Sequence, residues 1–169
     1  MTVSLYTFVD LYSRALDTAA HVLAKGAQFA VANGATETEM LDWRLIDDMQ
    51  PLRFQITVVV NYTRRWPARV AGLAIPEEIQ SDLTLAQFQA AIADAKAGLA
   101  AMKPEQFAGR DAVPLTVAIG GDMKPTLPAG RWLTVFSTTN LYFHLSMAYA
   151  ILRAKGVPIG KQDLFTGGL

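Results

Sequence analysis

The chain has 169 residues, of which 51% are hydrophobic and 18% are charged, and this length and composition are typical of one domain with a substantial core. It contains no cysteine, which excludes disulfides, thiolate nucleophiles and cysteine-ligated zinc. Fifteen basic residues balance fifteen acidic ones, and this neutral balance disfavours a nucleic-acid partner. We predict a single domain over residues 1–169.

The chain's start, MTVSLYTFVDLYSRALD, lacks the basic segment and continuous apolar core of a secretory signal. The most apolar stretch is interrupted by His144 and Ser146 and closes at Arg153, within roughly 20 residues of its start, so it is too short to span a membrane. We therefore predict a cytoplasmic protein with no membrane partner. The high apolar content also favours a homodimer interface.

A first long helix is predicted from Leu5 to Asn33–Gly34, because apolar residues recur there at helical spacing. They are Leu5, Phe8, Val9, Tyr12, Leu16, Ala19, Leu23, Ala27 and Ala30. The opposite stripe is polar and contains His21. We therefore place His21 on the solvated face and not in a core site.

A short helical turn is predicted after Thr36, which with Glu39 has the spacing of a capping box. The second long helix is predicted from Pro51 to Gly72, with Asp47 and Asp48 suited to its positive end. Its buried stripe comprises Leu52, Ile56, Val59, Tyr62 or Thr63, Trp66, Val70 and Leu73, with Gln55 on the edge. Pro67 within this helix predicts a kink near residues 63–66.

The third helix is predicted to begin at Thr84, which forms a second capping-box pattern with Gln87, and to end before Pro104. Its core stripe is Phe88, Ala91, Ile92, Ala95, Leu99 and Met102. Residues 105–135 then alternate apolar and polar positions, with a turn at Gly120–Gly121. This segment, including the apolar run from Arg131 to Phe136, is predicted to be an extended or hairpin crossover.

The fourth helix is predicted from Thr139 to Arg153 and has almost no polar face, which is typical of a helix buried on all sides. Gly156 and Pro158 supply its stop signal. In the tail, Leu164 and Phe165 are predicted to dock on the helices, and Gly167 onward to fray.

Asn140 and His144 stand four residues apart and therefore on one face of the fourth helix. Two interpretations stay open. The pair can share a ligand, or His144 is a hydrogen-bonded core histidine while Asn140 caps the helix. Walls for a ligand pocket would come from Tyr142, Tyr149, Trp66 and Met147, together with Tyr62, although such residues are also ordinary core.

Four long helices, a long crossover before the last one and no full-sized sheet predict an all-α fold, a four-helix bundle. In such bundles, ligand and metal sites lie in the core between facing helices. Asn140 and His144 would lie there.

The run FHLSMAYAILRAKGVPIGKQDLF, together with DDMQPLRFQ upstream, resembles an uncharacterised domain-of-unknown-function branch of the DinB/YfiT-like superfamily. The resemblance covers nearly the whole chain in helix order. It implies an up-down-down-up DinB-like bundle and a homodimer. It also implies that relatives hold a divalent metal with three histidines and that some are thiol S-transferases.

In those metal-binding relatives, one histidine comes from the second helix and two, four residues apart, come from the fourth. The resemblance carries these positions onto Gln55, Asn140 and His144 of this chain, so one histidine of three remains. A Gln/Asn/His set would bind zinc or nickel far more weakly than three imidazoles. Asp48 would restore a charge if it turned inward, but its position near a helix start favours capping.

Two functions follow from these residues. The first is a noncatalytic bundle with a degenerate metal site that binds a small apolar or amphipathic molecule and needs no cofactor; its pocket would comprise Gln55, Tyr62, Trp66, Asn140, His144 and Met147. The alternative is a metal-dependent hydrolase or thiol S-transferase that uses His144 as ligand or general base. A purely structural role as a dimer is a further alternative, and whether the protein is an enzyme stays open at this stage.

Overall fold

The structure is a computed structural model that describes residues 3–166. Its α-helices are α1 (Thr7–Ala32), α2 (Glu37–Asp42), α3 (Leu52–Ala71), α4 (Leu85–Ala100), α5 (Ala129–Arg131) and α6 (Thr138–Ala154). A π-helical segment (Trp132–Ser137) joins α5 to α6, and 3₁₀ turns occupy Pro104–Phe107 and Lys161–Phe165. Strands β1 (Pro114–Thr116) and β2 (Thr126–Pro128) form an antiparallel hairpin with Leu115 opposite Leu127.

Contacts between the long helices fix their directions. α3 and α6 are antiparallel, since the start of α3 meets α6 through Gln55 and His144 while its end meets the start of the last helical rod through Trp66 and Trp132. α1 runs parallel to α6, because Tyr12 bonds Ser137 near the beginning of both and Gly26 faces Leu152 near the end of both.

α1 and α4 are antiparallel, because Asp17 pairs with Lys96 and the Tyr6 hydroxyl reaches the Met102 carbonyl beyond the end of α4. These directions together give the up-down-down-up order, which confirms the predicted all-α four-helix bundle. Among residues 3–166, no helix combines the length and apolar character that crossing a bilayer requires.

Both predicted capping boxes are present. The Thr36 hydroxyl accepts from the Glu39 amide at 3.1 Å while Glu39 accepts from the Thr36 amide at 2.7 Å. Thr84 and Gln87 repeat the exchange at 3.3 and 2.8 Å. α3 has no side-chain cap, since Pro51 occupies its N-cap position. The prediction that Asp48 caps this helix is therefore wrong, and Asp48 is exposed.

Two predictions of burial are wrong. Leu73 is 38% exposed, because Gly72 takes a left-handed conformation (φ 74°) and ends α3 one residue before it. Tyr142 and Phe143 are 40% and 55% exposed. α6 packs on α3 and α1, so one side of this apolar helix faces outward.

The run from Arg131 to Phe136 is helical and not extended, because the last helical rod already begins at Ala129. In π turns a carbonyl bonds the amide five residues on instead of four. Two side chains add bonds here: Thr138 Oγ1 donates to the Leu133 carbonyl at 2.8 Å, and Thr134 Oγ1 donates to the Gly130 carbonyl at 2.8 Å. The crossover hairpin itself is confirmed.

Candidate functional site

The predicted site contains a chain of hydrogen bonds that begins in the first turn of α3. Gln55, only 3% exposed, donates its side-chain amide to the Gln50 carbonyl at 2.9 Å. That bond fixes the amide orientation, so the carbonyl Oε1 of Gln55 points the other way. Oε1 lies 2.8 Å from Nδ1 of His144 on α6. The sequence-predicted pair of Gln55 and His144 is therefore brought together.

This arrangement determines the tautomer of His144. Oε1 of Gln55 can only accept, so the imidazole Nδ1 carries the proton. Partial burial lowers the pKa of His144, which favours the neutral ring and leaves a lone pair on Nε2. Among residues 3–166, Nε2 has no hydrogen-bond partner. The ring therefore offers a fixed acceptor to a ligand.

Two phenyl rings flank the imidazole. Phe54 lies 5.9 Å and Phe143 lies 5.2 Å from the His144 ring, measured between centroids, and both meet it edge-on. Such edge contacts are favourable for aromatic pairs. They restrict rotation of the ring and place apolar surface beside it.

Asn140 does not join this arrangement. Its side-chain amide donates to the Phe136 carbonyl at 2.7 Å, one turn back in its own helical rod. The carbonyl belongs to the π-helical segment, where backbone partners are displaced. Asn140 therefore serves its own helix, and the predicted pairing of Asn140 with His144 on a shared ligand lacks support from a mutual contact. Met147 is half-buried, one turn beyond His144.

The predicted wall residues Tyr62 and Trp66 belong to a separate aromatic cluster with Trp132 and Phe136. Trp66 stacks on Trp132 at 5.3 Å and lies 5.4 Å from Phe136, while Tyr62 stacks on Phe136 at 6.3 Å. Tyr62 stands seven residues along α3 from Gln55, roughly 10 Å at the helical rise. The six predicted pocket residues thus divide between two places.

A cleft of about 260 Å³ opens on the side of α3 that carries Phe54 and Tyr62. One wall is α3, with Phe54, Val58 and Tyr62, and the other is the linker of residues 78–81. Asn61 holds the linker through two hydrogen bonds to the backbone of Ile79, at 2.9 and 3.1 Å. Phe54 lines the cleft, and its ring centroid also lies 5.9 Å from that of His144, so Phe54 stands between the cleft and the imidazole.

The donor set does not fit the divalent metal that the family resemblance implies. Gln55 Oε1 already accepts from His144 Nδ1, and Asn140 donates its Nδ2 to the Phe136 carbonyl, so the set retains only the neutral donors Asn140 Oδ1 and His144 Nε2. Within residues 3–166, no group of three or more His, Asp or Glu side chains converges closely enough to hold a metal ion. One imidazole without a carboxylate is a poor site for zinc or nickel.

Sequence reasoning missed two polar clusters. His21, predicted to be solvated, is half-buried and its Nε2 lies 2.6 Å from Asp163 of the last 3₁₀ turn. Lys25 bonds the same carboxylate oxygen at 2.7 Å, and Thr18 donates to the Leu164 carbonyl at 3.0 Å. The docking of Leu164 is therefore supported, whereas Phe165 is exposed. The predicted fraying from residue 167 lies outside the described residues.

The second cluster surrounds the fully buried Tyr12 hydroxyl. It donates to Ser137 Oγ at 2.7 Å and lies 3.1 Å from Thr138 Oγ1 and 3.3 Å from the Leu133 carbonyl. Burial raises the pKa of Tyr12 to about 12, so it remains a neutral donor. The helical spacing of Tyr12 had indicated only that it is a core residue. The feature of the sequence that could have revealed the cluster was the run of hydroxyl side chains at residues 137–139.

Comparison with known proteins adds two findings. A family model described as "Domain of unknown function (DUF1993)" matches residues 5–165. The crystal structure of a DinB family member protein from Shewanella denitrificans superposes with a TM-score of 0.82, covering 92% of this chain and 88% of that chain at 25% sequence identity. No curated protein matches the sequence significantly.

Proposed function

This chain belongs to the DUF1993 family, a domain of unknown function within the DinB-like superfamily, and we propose that it is a noncatalytic bundle that binds a small amphipathic molecule. The ligand occupies the cleft beside α3 and uses His144 Nε2 as its polar anchor. The family's metal site is degenerate in this chain, with His144 retained as a hydrogen-bonding group.

One observation carries the proposal: His144 is held in a single tautomer against Phe54, and Phe54 lines a cleft with both apolar and polar residues. The bond from Nδ1 to Gln55 fixes the ring, and Phe54 connects the ring to the cleft. Ligand sites are commonly apolar clefts with a few fixed polar groups. A cleft of about 260 Å³ accommodates a small organic molecule.

A second candidate, a metal-dependent hydrolase or thiol S-transferase, is favoured by the same tautomer. Metal-ligating histidines usually donate their second ring N–H to an oxygen acceptor, as His144 does to Gln55. The remaining donors disfavour this candidate, since Gln55 Oε1 is taken by His144 Nδ1 and the set contains no carboxylate.

Metal content separates the two functions. We would measure zinc, nickel and manganese by mass spectrometry in tag-free protein purified after growth with all three metals, beside the His144→Ala variant. The noncatalytic function predicts no stoichiometric metal in either protein. Stoichiometric metal that disappears in His144→Ala would overturn it in favour of the enzyme.

Ligand binding is tested by saturation-transfer NMR with a library of small amphipathic compounds. Compounds that bind the unmodified protein should lose their signal in Phe54→Ala and in His144→Ala. Phe165→Ala is the matched control, because it also removes a phenyl ring but lies outside the cleft. Equal signals in Phe54→Ala and Phe165→Ala would contradict the location of the site.

The proposal includes a homodimer. The outward face of α6 and the segment before it carry Val135, Tyr142 and Phe143, all well exposed, and large exposed apolar side chains on one helix favour association. Light scattering after size-exclusion chromatography should give twice 18.4 kDa. Tyr142→Arg should shift the protein to monomer, and a monomer in the unmodified protein would refute this part of the proposal.

A further inference from the structure

A second pocket, of about 200 Å³, lies between the second halves of α3 and α4 and shares no lining residue with the cleft. Small residues create the space. Ala68 of α3 and Ala95 of α4 line it with only a methyl group each, and Gly98 leaves it open, since an added Cβ there would meet nothing within 4 Å. The chain that leaves α3 closes the pocket with Leu73 and Pro76.

The charged residues of this pocket lie at one end. Its two charged lining residues are Arg64 on α3 and Asp94 on α4. α3 and α4 run parallel, because both are antiparallel to α1. Arg64 and Asp94 are the first lining residues of their helices, whereas Leu73 and Met102 are beyond the ends of both. The pocket therefore has a charged end and an apolar end.

The two charges have no partner within the protein. Among residues 3–166, neither Arg64 nor Asp94 forms a hydrogen bond or an ion pair, with the other or with any third group. Their neighbours along the helices are paired: Arg65 with a glutamate of the linker, and Lys96 with an aspartate of α1. Two opposite charges that line one pocket without meeting each other leave a place for a group that carries both.

We propose that this pocket binds a free α-amino acid with an apolar side chain. The α-carboxylate pairs with the Arg64 guanidinium, whose planar fork matches a carboxylate, and the α-ammonium donates to the Asp94 carboxylate. The apolar side chain lies over Ala68 and Ala95 and points towards Leu73. The site is separate from the cleft, so the proposal goes beyond the proposed function and does not depend on it.

Size and charge together select this ligand class. A volume of about 200 Å³ is below the roughly 300 Å³ at which sites for drug-sized molecules begin, and it suits a molecule of amino-acid size. An apolar monocarboxylate would leave Asp94 without a partner, and an apolar amine would leave Arg64 without one. A zwitterion whose two charges are joined through one carbon compensates both.

The test is a titration of uniformly ¹⁵N-labelled protein, followed by the amide shifts of α3 and α4. The three probes are L-leucine, 4-methylpentanoate, which lacks the α-ammonium, and 3-methylbutylamine, which lacks the carboxylate. We expect L-leucine to bind about tenfold more tightly than the amine, because the amine loses the pairing with Arg64. The advantage over the acid should be smaller, about threefold, because Asp94 is exposed and water screens its charge.

Variants assign the two charges. Arg64→Gln should weaken L-leucine about tenfold without weakening 3-methylbutylamine. Asp94→Asn should abolish the advantage of L-leucine over 4-methylpentanoate. Asp48→Asn is the matched control, because it neutralises an exposed carboxylate outside the pocket, and it should change none of the affinities. Gly98→Leu places a side chain where there is open space and should abolish binding of all three probes.

Equal affinities for L-leucine and either of its two analogues in the unmodified protein would overturn the amino-acid assignment. An absence of shifts at millimolar L-leucine, shifts confined to the cleft, or undiminished binding in Gly98→Leu would overturn the site itself. None of these results bears on the cleft function, which is tested with a different set of compounds. The comparison in the unmodified protein decides the matter even where a variant fails to fold.

Discussion

Replacing Tyr12 with phenylalanine tests the role of the buried hydroxyl cluster in the core. The change removes one oxygen that donates to Ser137 at 2.7 Å and leaves the aromatic ring in place. A net hydrogen bond contributes about 1 kcal/mol, and a buried hydroxyl left without its partner costs about 1 kcal/mol more. Ser137 is fully buried, and its hydroxyl would lose its partner in the variant. Thr138 keeps its bond to the Leu133 carbonyl.

The expected loss is therefore about 2 kcal/mol in the free energy of unfolding. It is measured by urea unfolding followed by circular dichroism, where a slope of about 2 kcal/mol per molar converts the loss into a midpoint shift of about 1 M. Tyr6→Phe is the matched control, because the Tyr6 hydroxyl makes one longer bond of 3.3 Å at a partly buried position. It should cost less than Tyr12→Phe.

A double-mutant cycle sharpens the test. Ser137→Ala combined with Tyr12→Phe removes both partners, so the double variant should lose less than the sum of the single losses. Additive losses, or a midpoint for Tyr12→Phe equal to that of the unmodified protein, would refute the assignment of stability to this cluster.

Three further changes test other parts of the bundle. His144→Ala should lower the free energy of unfolding by about 1 to 3 kcal/mol if the ring is a satisfied, partly buried group, and an unchanged thermal melting curve would contradict this. Hydrogen bonds from the lysine of α1 and from a backbone amide hold the pKa of Asp163 well below its usual range, so its stabilisation is complete above about pH 4 and is lost as the pH falls towards the lowered folded-state pKa. The difference in stability between Asp163→Asn and the unmodified protein should therefore shrink on acidification below about pH 4, and a difference independent of pH would count against the ion pair. Gly26→Ala should destabilise by about 1 to 3 kcal/mol because an added Cβ would lie 2.7 Å from Leu152, whereas Gly98→Ala, with open space around it, should stabilise by about 0.5 to 1 kcal/mol; effects of equal sign in thermal unfolding would contradict the packing at Gly26.

Local patterns predicted much of the fold. The capping boxes at Thr36 and Thr84 involve residues three apart, and the apolar stripes repeat within one helix, so the sequence contains all the information they need. The burial of Tyr142 and Phe143 was predicted wrongly for a physical reason. When its outward face is also apolar, a helix that packs on two other helices has a composition similar to that of a helix packed on three. The sequence of α6 therefore did not show that one of its faces is exposed.

The candidate site was less accessible to sequence reasoning. Gln55 and His144 lie far apart in the chain, and their pairing followed from a resemblance in helix order. Asn140 shares the face of His144 by spacing, yet its amide serves Phe136, because the π-helical segment displaces the backbone partners before it.

The π-helical segment also bears on how this chain should be aligned with its relatives. A π turn is equivalent to one residue inserted into a regular helix, and one residue rotates everything on one side of it by about 100° relative to the other. An alignment that assumes regular α-helical spacing from Trp132 to His144 would therefore assign a relative's residue to the wrong face of this helical rod. Equivalences on either side of residues 132–137 have to be assigned separately, from superposed backbones.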